Sequence, residues 1–230
     1  MVKIFSIEGN IGSGKSTLVK ILQERCPHFI YMLEPVDEWA EVKDDSGENI
    51  LTKFYRNQEK YSFSFQMMAY ISRLAKLKRL VQKFPKAIII TERSVLTDKN
   101  VFAKMLYDDD KIEKVNYLIY LKWFYEFIEE VPITGYIYVN VTPETSYKRV
   151  LKRNRQGEDI PLSYLHTCNQ YHQKWLVGEK KVLMLDAEVD FEQDPVVQQK
   201  MVYKIDEFVK EAPKEIPIDV LNRYKYATFC

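Results

Sequence analysis

The stretch IEGNIGSGKST, residues 7–17, decides the fold of this chain. Three of the seven glycines in the 230-residue sequence, Gly9, Gly12 and Gly14, lie within six positions of one another here. Residues 9–16 fit the pattern G-x-x-x-x-G-K-[ST], which forms a phosphate-binding loop where it joins a strand to a helix. Glycine allows such a loop to adopt positive φ angles and allows its N–H groups to approach phosphate oxygens at a helix N-terminus.

Short apolar runs recur on both sides of this loop, and stretches with helical periodicity separate them. Apolar strands that alternate with helices are typical of a parallel sheet covered on both faces. We therefore predict an α/β protein with a five-stranded parallel sheet. The predicted strands are 3–7, 29–33, 87–91, 135–141 and 181–185. The predicted helices are 15–25, 57–83, 99–107, 111–130, 143–155, 161–177 and 195–210.

Composition excludes several classes of protein. The sequence is 46% hydrophobic and 29% charged, which is typical of a globular chain, and its net charge of +1 creates no general attraction for nucleic acid or an anionic membrane. No apolar run approaches the length of a membrane span, and the first residues lack the layout of a signal peptide. Cys26, Cys168 and Cys230 form neither an even disulfide set nor a metal motif. We expect a cytoplasmic protein with reduced thiols and no nucleic-acid or membrane partner; the cytoplasm is that of the host if the chain is viral, and an organelle is left open as an alternative.

Charged residues follow the predicted strands at the edge where sites form in parallel sheets. The loop predicts a nucleoside triphosphate site in which Lys15 reaches the β- and γ-phosphates and Ser16 ligates Mg²⁺. Glu34 follows the second predicted strand, and Glu92 and Arg93 follow the third. Phosphoryl transfer needs alignment, charge neutralisation and a proton acceptor. Glu34 is thus the candidate base, Arg93 the aligning cation, and Glu92 a group that holds Mg²⁺ through water.

A basic segment, KRVLKRNR, occupies residues 148–155. Arg149 and Arg153 are four residues apart and so share a helical face, and Arg155 follows in the next turn. Basic helical runs are commonly solvated faces, but beside a phosphate-binding loop this one favours an arginine-rich lid that closes over the triphosphate.

The helix predicted over 57–83 carries Gln66, Ala69 and Arg73 on one face. Its aromatic residues make the helix apolar on almost every side, which indicates burial. A buried glutamine and arginine need hydrogen-bonding partners, and the edge of a nucleobase supplies them.

Together these motifs resemble those of the deoxyribonucleoside kinases, most closely the deoxycytidine/deoxyguanosine kinase branch. The resemblance covers about residues 2–210, with the motifs in the family's order. It implies a P-loop kinase fold in a domain spanning 1–212, with an extension of unknown role at 213–230. It also implies transfer of the γ-phosphate of ATP or another nucleoside triphosphate to the 5′-hydroxyl of a deoxyribonucleoside, with Mg²⁺, in deoxynucleotide salvage. A homodimer formed through helices is implied as well.

The motifs and the resemblance assign residues to two adjoining sites. The nucleotide site comprises Gly9, Asn10, Ile11, Gly12, Ser13, Gly14, Lys15, Ser16, Thr17, Arg153, Arg155, Asp190 and Phe191. The acceptor site comprises Glu34, Trp39, Leu51, Tyr55, Phe65, Gln66, Ala69, Arg73, Arg93, Asp98, Phe102 and Glu158. The catalytic residues are Lys15, Glu34, Arg93, Arg149 and Arg153, and the metal-binding residues are Ser16 and Glu92.

In the acceptor site the resemblance implies individual roles. The motif EPVDEW matches the segment whose glutamate, here Glu34, is the general base at the 5′-hydroxyl and whose tryptophan, here Trp39, lines the sugar pocket. The segment KFYRNQEKYSFSFQ implies that Tyr55 contacts the 3′-hydroxyl, that Phe65 stacks on the base, and that Gln66 bonds its edge.

The nucleotide site and the lid are assigned in the same way. The motif VDF implies that Asp190 and Phe191 contact the adenine of the donor. The family lid commonly reads R-x-R-x-E-E before a spacer and a proline, whereas residues 153–161 read RNRQGEDIP, with one glutamate and a one-residue contraction. Glu158 is assigned to the 3′-hydroxyl, with Asp159 as the alternative.

Acceptor preference is expected to depend on Ala69, Arg73 and Asp98. In the resembling branch an arginine–aspartate pair accompanies deoxycytidine and purine deoxynucleosides. A polar pocket end of this kind penalises the 5-methyl group of thymidine. We therefore expect deoxycytidine, deoxyadenosine or deoxyguanosine to be preferred to thymidine.

Two other classes of protein share the phosphate-binding loop. A nucleoside monophosphate kinase of the thymidylate kinase type shares the loop, sheet and lid, but it needs extra cations for the acceptor phosphate and typically carries Asp-Arg where this chain has Glu92-Arg93. A P-loop switch protein has no acceptor; the guanine motif N-K-x-D of GTPases is absent from the sequence, whereas a catalytically silent nucleotide sensor stays open.

Overall fold

A computed structural model of the chain describes residues 2–155 and 158–211. Within these residues five strands form one sheet of order β2-β3-β1-β4-β5, and every neighbouring pair is parallel. The strands are β1 (Lys3–Glu8), β2 (Ile30–Met32), β3 (Ile88–Glu92), β4 (Gly135–Asn140) and β5 (Val182–Asp186). The predicted five-stranded parallel sheet is confirmed.

Helices precede or follow each strand. The α-helices are α1 (Lys15–Arg25), α2 (Val36–Glu41), α3 (Ile50–Arg56), α4 (Gln58–Lys83), α5 (Val95–Thr97), α6 (Lys104–Asp108), α7 (Lys114–Phe127), α8 (Pro143–Arg153), α9 (Leu162–Val177) and α10 (Pro195–Lys210). A π-helical turn, Asp98–Ala103, joins α5 to α6, and short 3₁₀ turns cover Ile128–Glu130 and Phe191–Gln193.

The central strand β1 is apolar on both faces because each face is covered by helices. Ile7 points to one side, where it joins a buried cluster with Leu18 of α1 and Ile205 of α10. Ile4 points to the other side, where it joins Tyr70 of α4 in a second cluster. The two clusters hold the helices against the sheet, and the phosphate-binding loop lies between β1 and α1 at the carboxyl end of the sheet.

Several predicted helix boundaries were wrong. Helix α8 ends at Arg153 rather than at residue 155, because Asn154 adopts a left-handed φ of 46°. The helix predicted over 99–107 begins earlier, at Val95, and the one predicted over 111–130 begins at Lys114. The helices α2 and α3 were not predicted; with six and seven residues they are too short to show a clear period.

The described residues include no helix with the combined length and apolar character that a bilayer crossing requires. The predicted extension at 213–230 lies outside the described residues.

Candidate active site

A cavity of about 690 Å³ opens at the carboxyl ends of β1, β2 and β3. The loop after β1 forms its floor, and Glu34, which follows β2, faces Arg93, which follows β3. Helices α3, α4 and α8 supply the other walls. This is the edge where parallel sheets place their ligands, so the fold itself brings the charged strand ends together.

The loop requires glycine at its two ends. Gly9 has a φ of 145° and Gly14 a φ of 98°, both in the range that residues with a side chain rarely adopt. A Cβ atom on Gly9 would lie 2.6 Å from the carbonyl oxygen of Val139, and one on Gly14 would lie 2.9 Å from Cζ of Phe191. The clustered glycines therefore let the loop pack against β4 and against the segment after β5.

Lys15 begins α1 and is buried beneath the loop, where its Nζ donates to the carbonyl oxygen of Asn10 at 2.6 Å. Burial, helped by repulsion from Arg93 and opposed by attraction to Glu92 and Glu34, lowers the pKa of Lys15 to about 7. An incoming triphosphate would supply the negative charge that this buried ammonium group lacks.

Glu34 lies between two arginines. Its Oε1 and Oε2 both accept hydrogen bonds of 2.9 Å from Nη1 of Arg93, and its Oε1 also accepts one of 2.9 Å from Nη2 of Arg73. Burial by itself would raise the pKa of Glu34, but attraction by Arg93, Arg73 and Lys15 outweighs burial and lowers the pKa to about 2. The carboxylate is therefore ionised at neutral pH.

Arg93 has hydrogen-bond donors that no described residue accepts. Its backbone has a φ of 59°, an uncommon conformation that clusters at functional sites. Its Nε and Nη2 are buried and have no hydrogen-bond partner among the described residues. The guanidinium lies over the ring of Phe102 at 5.0 Å, which fixes its plane. These N–H groups can bind an anion while Nη1 holds Glu34.

The end of the cavity that is expected to hold the acceptor is lined by polar side chains and, beside them, by aromatic ones. Arg73 is fully buried and donates from Nε to Oδ2 of Asp98 at 2.9 Å and from Nη1 to the carbonyl oxygen of Glu92 at 2.9 Å. Gln66, two helical turns before Arg73 on α4, has a buried Oε1 without a partner in the described part of the chain. Phe65 stacks on Phe54 with a centroid distance of 4.7 Å.

Ser16 and Glu92 meet at the nucleotide side of the cavity. The Ser16 hydroxyl donates to Oε1 of Glu92 at 2.5 Å, which brings the end of β3 to the first turn of α1. A hydroxyl and a carboxylate oxygen in contact are the hard ligands that Mg²⁺ prefers, and their place beside Lys15 fits a metal bound to phosphate.

The lid helix α8 is tied to both sides of the nucleotide site. Arg149 donates to the carbonyl oxygens of Ser13 at 3.3 Å and of Ala187 at 2.9 Å. Arg153 pairs with Glu158 at 2.5 Å. Between the two candidates for the lid carboxylate, Glu158 lines the cavity and Asp159 is exposed outside it.

Most predicted site residues meet in this cavity. The predicted residues that line it are Ile11, Gly12, Gly14, Lys15, Ser16, Thr17, Glu34, Trp39, Leu51, Tyr55, Phe65, Gln66, Ala69, Arg73, Glu92, Arg93, Asp98, Phe102, Arg149, Arg153, Arg155, Glu158, Asp190 and Phe191. Three predicted loop residues, Gly9, Asn10 and Ser13, are buried behind the lining instead.

Sequence reasoning missed other lining residues, namely Lys20, Leu33, Val36, Asp37, Phe54, Lys152, Tyr164 and Glu192. Val36, Asp37, Phe54 and Lys152 lie inside motifs that had been quoted for other residues, so proximity along the chain was an available signal. Tyr164 of α9 had none, because its side chain reaches the cavity only through tertiary packing.

A parallel sheet with this loop, a buried lysine and an arginine-rich lid defines a P-loop kinase. The deoxynucleoside kinase family model matches residues 5–210, and the chain belongs to that family. It is therefore a deoxynucleoside kinase, an enzyme that takes phosphate from a nucleotide donor, and the resemblance read from its motifs is confirmed. The thymidylate kinase alternative is not favoured.

Individual relatives support the same assignment. The chain is 33% identical over 240 residues to the deoxycytidine kinase of Rattus norvegicus, covering 90% of this chain and 91% of the relative. It is 34% identical over 219 residues to the probable deoxycytidine kinase of Fowlpox virus (strain NVSL), covering 91% and 89%. It is 29% identical over 238 residues to the mitochondrial deoxyguanosine kinase of Xenopus laevis, covering 90% of each.

Proposed function

We propose that the enzyme transfers the γ-phosphate of ATP or another nucleoside triphosphate to the 5′-hydroxyl of deoxycytidine or a purine deoxynucleoside, in preference to thymidine, in deoxynucleotide salvage. The observation that carries this proposal is the buried network in which Arg93 and Arg73 hold the Glu34 carboxylate while Asp98 holds Arg73. The names of the relatives, deoxycytidine kinases and a deoxyguanosine kinase, support the choice of acceptor.

In the proposed reaction the 5′-oxygen forms a bond to the γ-phosphorus while the bond to the β–γ bridging oxygen breaks. The hydroxyl proton passes to a carboxylate oxygen of Glu34, and the nucleoside diphosphate leaves. Arg93 serves both partners, because Nη1 orients Glu34 while its unpaired Nε and Nη2 donors bind the transferred phosphoryl group. Lys15, Arg149 and Arg153 add the positive charge that the transition state requires.

The Ser16–Glu92 pair is the proposed site for Mg²⁺. The described residues contain no cluster of three or more His, Cys, Asp or Glu side chains that could hold a metal by themselves. Phosphate oxygens of the donor would therefore complete the coordination, as is usual for this ion. Bound there, Mg²⁺ would neutralise charge on the β- and γ-phosphates.

The nucleobase of the deoxynucleoside is proposed to lie between Phe65 and the polar end of the cavity. Gln66 has an unpartnered Oε1 that needs a donor, and an exocyclic amino group provides one. The Arg73–Asp98 pair closes this end with charged atoms, and an apolar methyl group placed against them would leave polar groups without water. Tyr55 and Glu158 are proposed to bind the 3′-hydroxyl.

Two further properties belong to the proposal. The enzyme is proposed to be a homodimer, since α7 exposes apolar side chains that include Ile119 and Trp123. It is proposed to act in a cytoplasm, either of its own cell or of an infected host, where its free buried thiols Cys26 and Cys168 would stay reduced.

The test is a coupled assay of nucleoside diphosphate release with ATP and Mg²⁺ against four deoxynucleosides and their monophosphates. We expect turnover with deoxycytidine or a purine deoxynucleoside, and lower turnover with thymidine. Glu34→Gln should lower kcat about 100-fold or more, the scale of general-base catalysis. Glu38→Gln, a matched change on α2 outside the cavity lining, should leave kcat unchanged. Equal turnover of thymidine would overturn the acceptor preference.

A further inference from the structure

Glu8, the last residue of β1, carries a carboxyl group to which neither the motifs nor the proposed reaction gives a role. It is fully buried directly before the phosphate-binding loop. Three hydroxyl groups donate to it: Ser6 Oγ at 2.5 Å and Ser94 Oγ at 2.9 Å to Oε1, and Thr97 Oγ1 at 2.5 Å to Oε2. A carboxyl group is costly to bury, so it is retained where it organises its donors.

Two of these donors begin the helix that follows β3. Ser94 and Thr97 form a reciprocal capping box: Ser94 Oγ accepts from the Thr97 N–H at 3.4 Å, and Thr97 Oγ1 accepts from the Ser94 N–H at 3.1 Å. A hydroxyl group has one hydrogen and two lone pairs. Because Glu8 accepts the hydrogens, the lone pairs of both hydroxyls are turned toward the backbone N–H groups.

The capped turn lies between the two charged residues of the acceptor side. Arg93 immediately precedes Ser94, and Asp98 immediately follows Thr97. The strained backbone of Arg93 is fixed on its other side by a hydrogen bond of 2.9 Å from its N–H to the carbonyl oxygen of Ile7. Glu8 and its neighbour Ile7 thus hold the segment from which Arg93 reaches Glu34.

We propose that Glu8 is a positioning residue that keeps Arg93 in its productive conformation by fixing the capped turn after it. The proposal rests on the role of Arg93 in the proposed function. The carboxyl group of Glu8 does not touch the substrates; it acts on the transition state through Arg93. Burial raises the pKa of Glu8, and the three hydroxyl donors and attraction by Arg93 oppose that rise.

A double-mutant cycle tests this directly. Glu8→Gln should lower kcat about tenfold, the scale of one lost hydrogen bond, while KM for ATP stays within about twofold. In an Arg93→Ala background the same change should lower kcat no further, because the residue through which Glu8 acts is gone. If the double variant instead lost kcat by the product of the two single losses, or if Glu8→Gln changed only KM, the proposal would be overturned. Glu8 would then have a role in the loop or in the fold.

The hydroxyl partners give an independent series should Glu8→Gln fail to fold. Thr97→Val should slow kcat as Glu8→Gln does, and Thr97→Ser, which keeps the hydroxyl, should restore it. Ser6→Ala removes a hydrogen bond to the same carboxyl group but lies within β1, so its kcat should stay near wild type. Equal losses in Ser6→Ala and Thr97→Val would contradict positioning through the capped turn.

Arg93→Ala by itself distinguishes a failure of the proposed role of Arg93 from a failure of the proposed role of Glu8. Wild-type kcat in that variant would overturn the proposed role of Arg93 and, with it, that of Glu8. A slowed Arg93→Ala enzyme in which Glu8→Gln causes a further, multiplying loss would overturn only the proposal for Glu8.

Discussion

The pKa values of Lys15 and Glu34 are both lowered in the buried site, but by different physical causes. Burial and, after it, repulsion from nearby Arg93 together lower the pKa of Lys15 to about 7, so its ammonium group is poorly compensated without an anion. Burial would raise the pKa of Glu34, but two bonded arginines outweigh it and lower the pKa to about 2. At the residue scale, the free enzyme is therefore short of negative charge beside Lys15.

The first prediction concerns proton uptake. Below the lowered pKa Lys15 is cationic, and above it the free enzyme loses that proton; a bound triphosphate raises the pKa again. Donor affinity should therefore fall as pH rises above about 7, and binding at about pH 8 should take up a proton. Titration calorimetry in two buffers with different ionisation enthalpies measures the uptake. The proton uptake of Lys15→Met measures the part that comes from the phosphates of the nucleotide, and this part is subtracted from the wild-type value. Equal uptake by the variant and the wild type would contradict the prediction.

A second prediction concerns the stability contributed by Arg73. It is fully buried and pairs with both Asp98 and Glu34, so Arg73→Leu leaves the buried Asp98 carboxylate unpaired, while Glu34 keeps only Arg93. The expected loss in the free energy of unfolding is about 3–5 kcal/mol. Urea unfolding measures it. The double variant Arg73→Leu, Asp98→Asn should be less destabilised than Arg73→Leu, because one uncompensated charge is removed; simple additivity of the two losses would argue against the pairing.

At the element scale, α8 connects the phosphate-binding loop to the segment after β5. Arg149 makes this connection through carbonyl oxygens of Ser13, Ala187, Glu188 and Val189, at distances from 2.9 to 3.4 Å. Phe191 packs against Gly14 from the same segment. The arginine thus fixes the expected adenine-binding segment relative to the loop before any donor binds.

The third prediction follows from that connection. Arg149→Ala should raise KM for ATP about tenfold or more, the scale of several lost hydrogen bonds to a charged group, and should change KM for the nucleoside little. Lys148→Ala removes a neighbouring charge on the exposed side of α8 and should alter neither constant. Steady-state kinetics with each substrate varied in turn decides the matter, and an equal rise in both KM values would show that Arg149 acts on the whole lid.

At the scale of the whole molecule, the sheet was predictable because its strands are buried on both faces and therefore read as apolar runs. The loop was predictable because glycine is otherwise scarce. The sequence did not predict the π-helical turn that carries Asp98 and Phe102, since its hydrogen-bond shift leaves no mark in composition. Nor did it indicate that Glu8 is buried among three hydroxyl groups, two of which lie 86 and 89 residues away along the chain.

The assembly is the last property to be tested. Helix α7 exposes Val115, Ile119 and Trp123, which are four residues apart and so form one apolar stripe, and Leu118, next to Ile119, is exposed as well. Exposed apolar stripes of this kind commonly mark an interface between subunits, and under the proposed function the partner is a second copy of the chain. The ring of Trp123 stacks on Phe127 at 6.0 Å, which holds the indole in place for such a contact.

The fourth prediction is that Trp123→Glu and Ile119→Glu each weaken dimerisation about thirtyfold, the effect of losing one central apolar anchor of about 2 kcal/mol. Light scattering across a dilution series measures the mass. Val177→Glu places the same charge on another exposed apolar residue, at the end of α9, and should leave the mass of a dimer. A wild-type mass of one chain at every concentration would contradict the dimer, and a dimer unaffected by either α7 variant would place the interface elsewhere on the molecule.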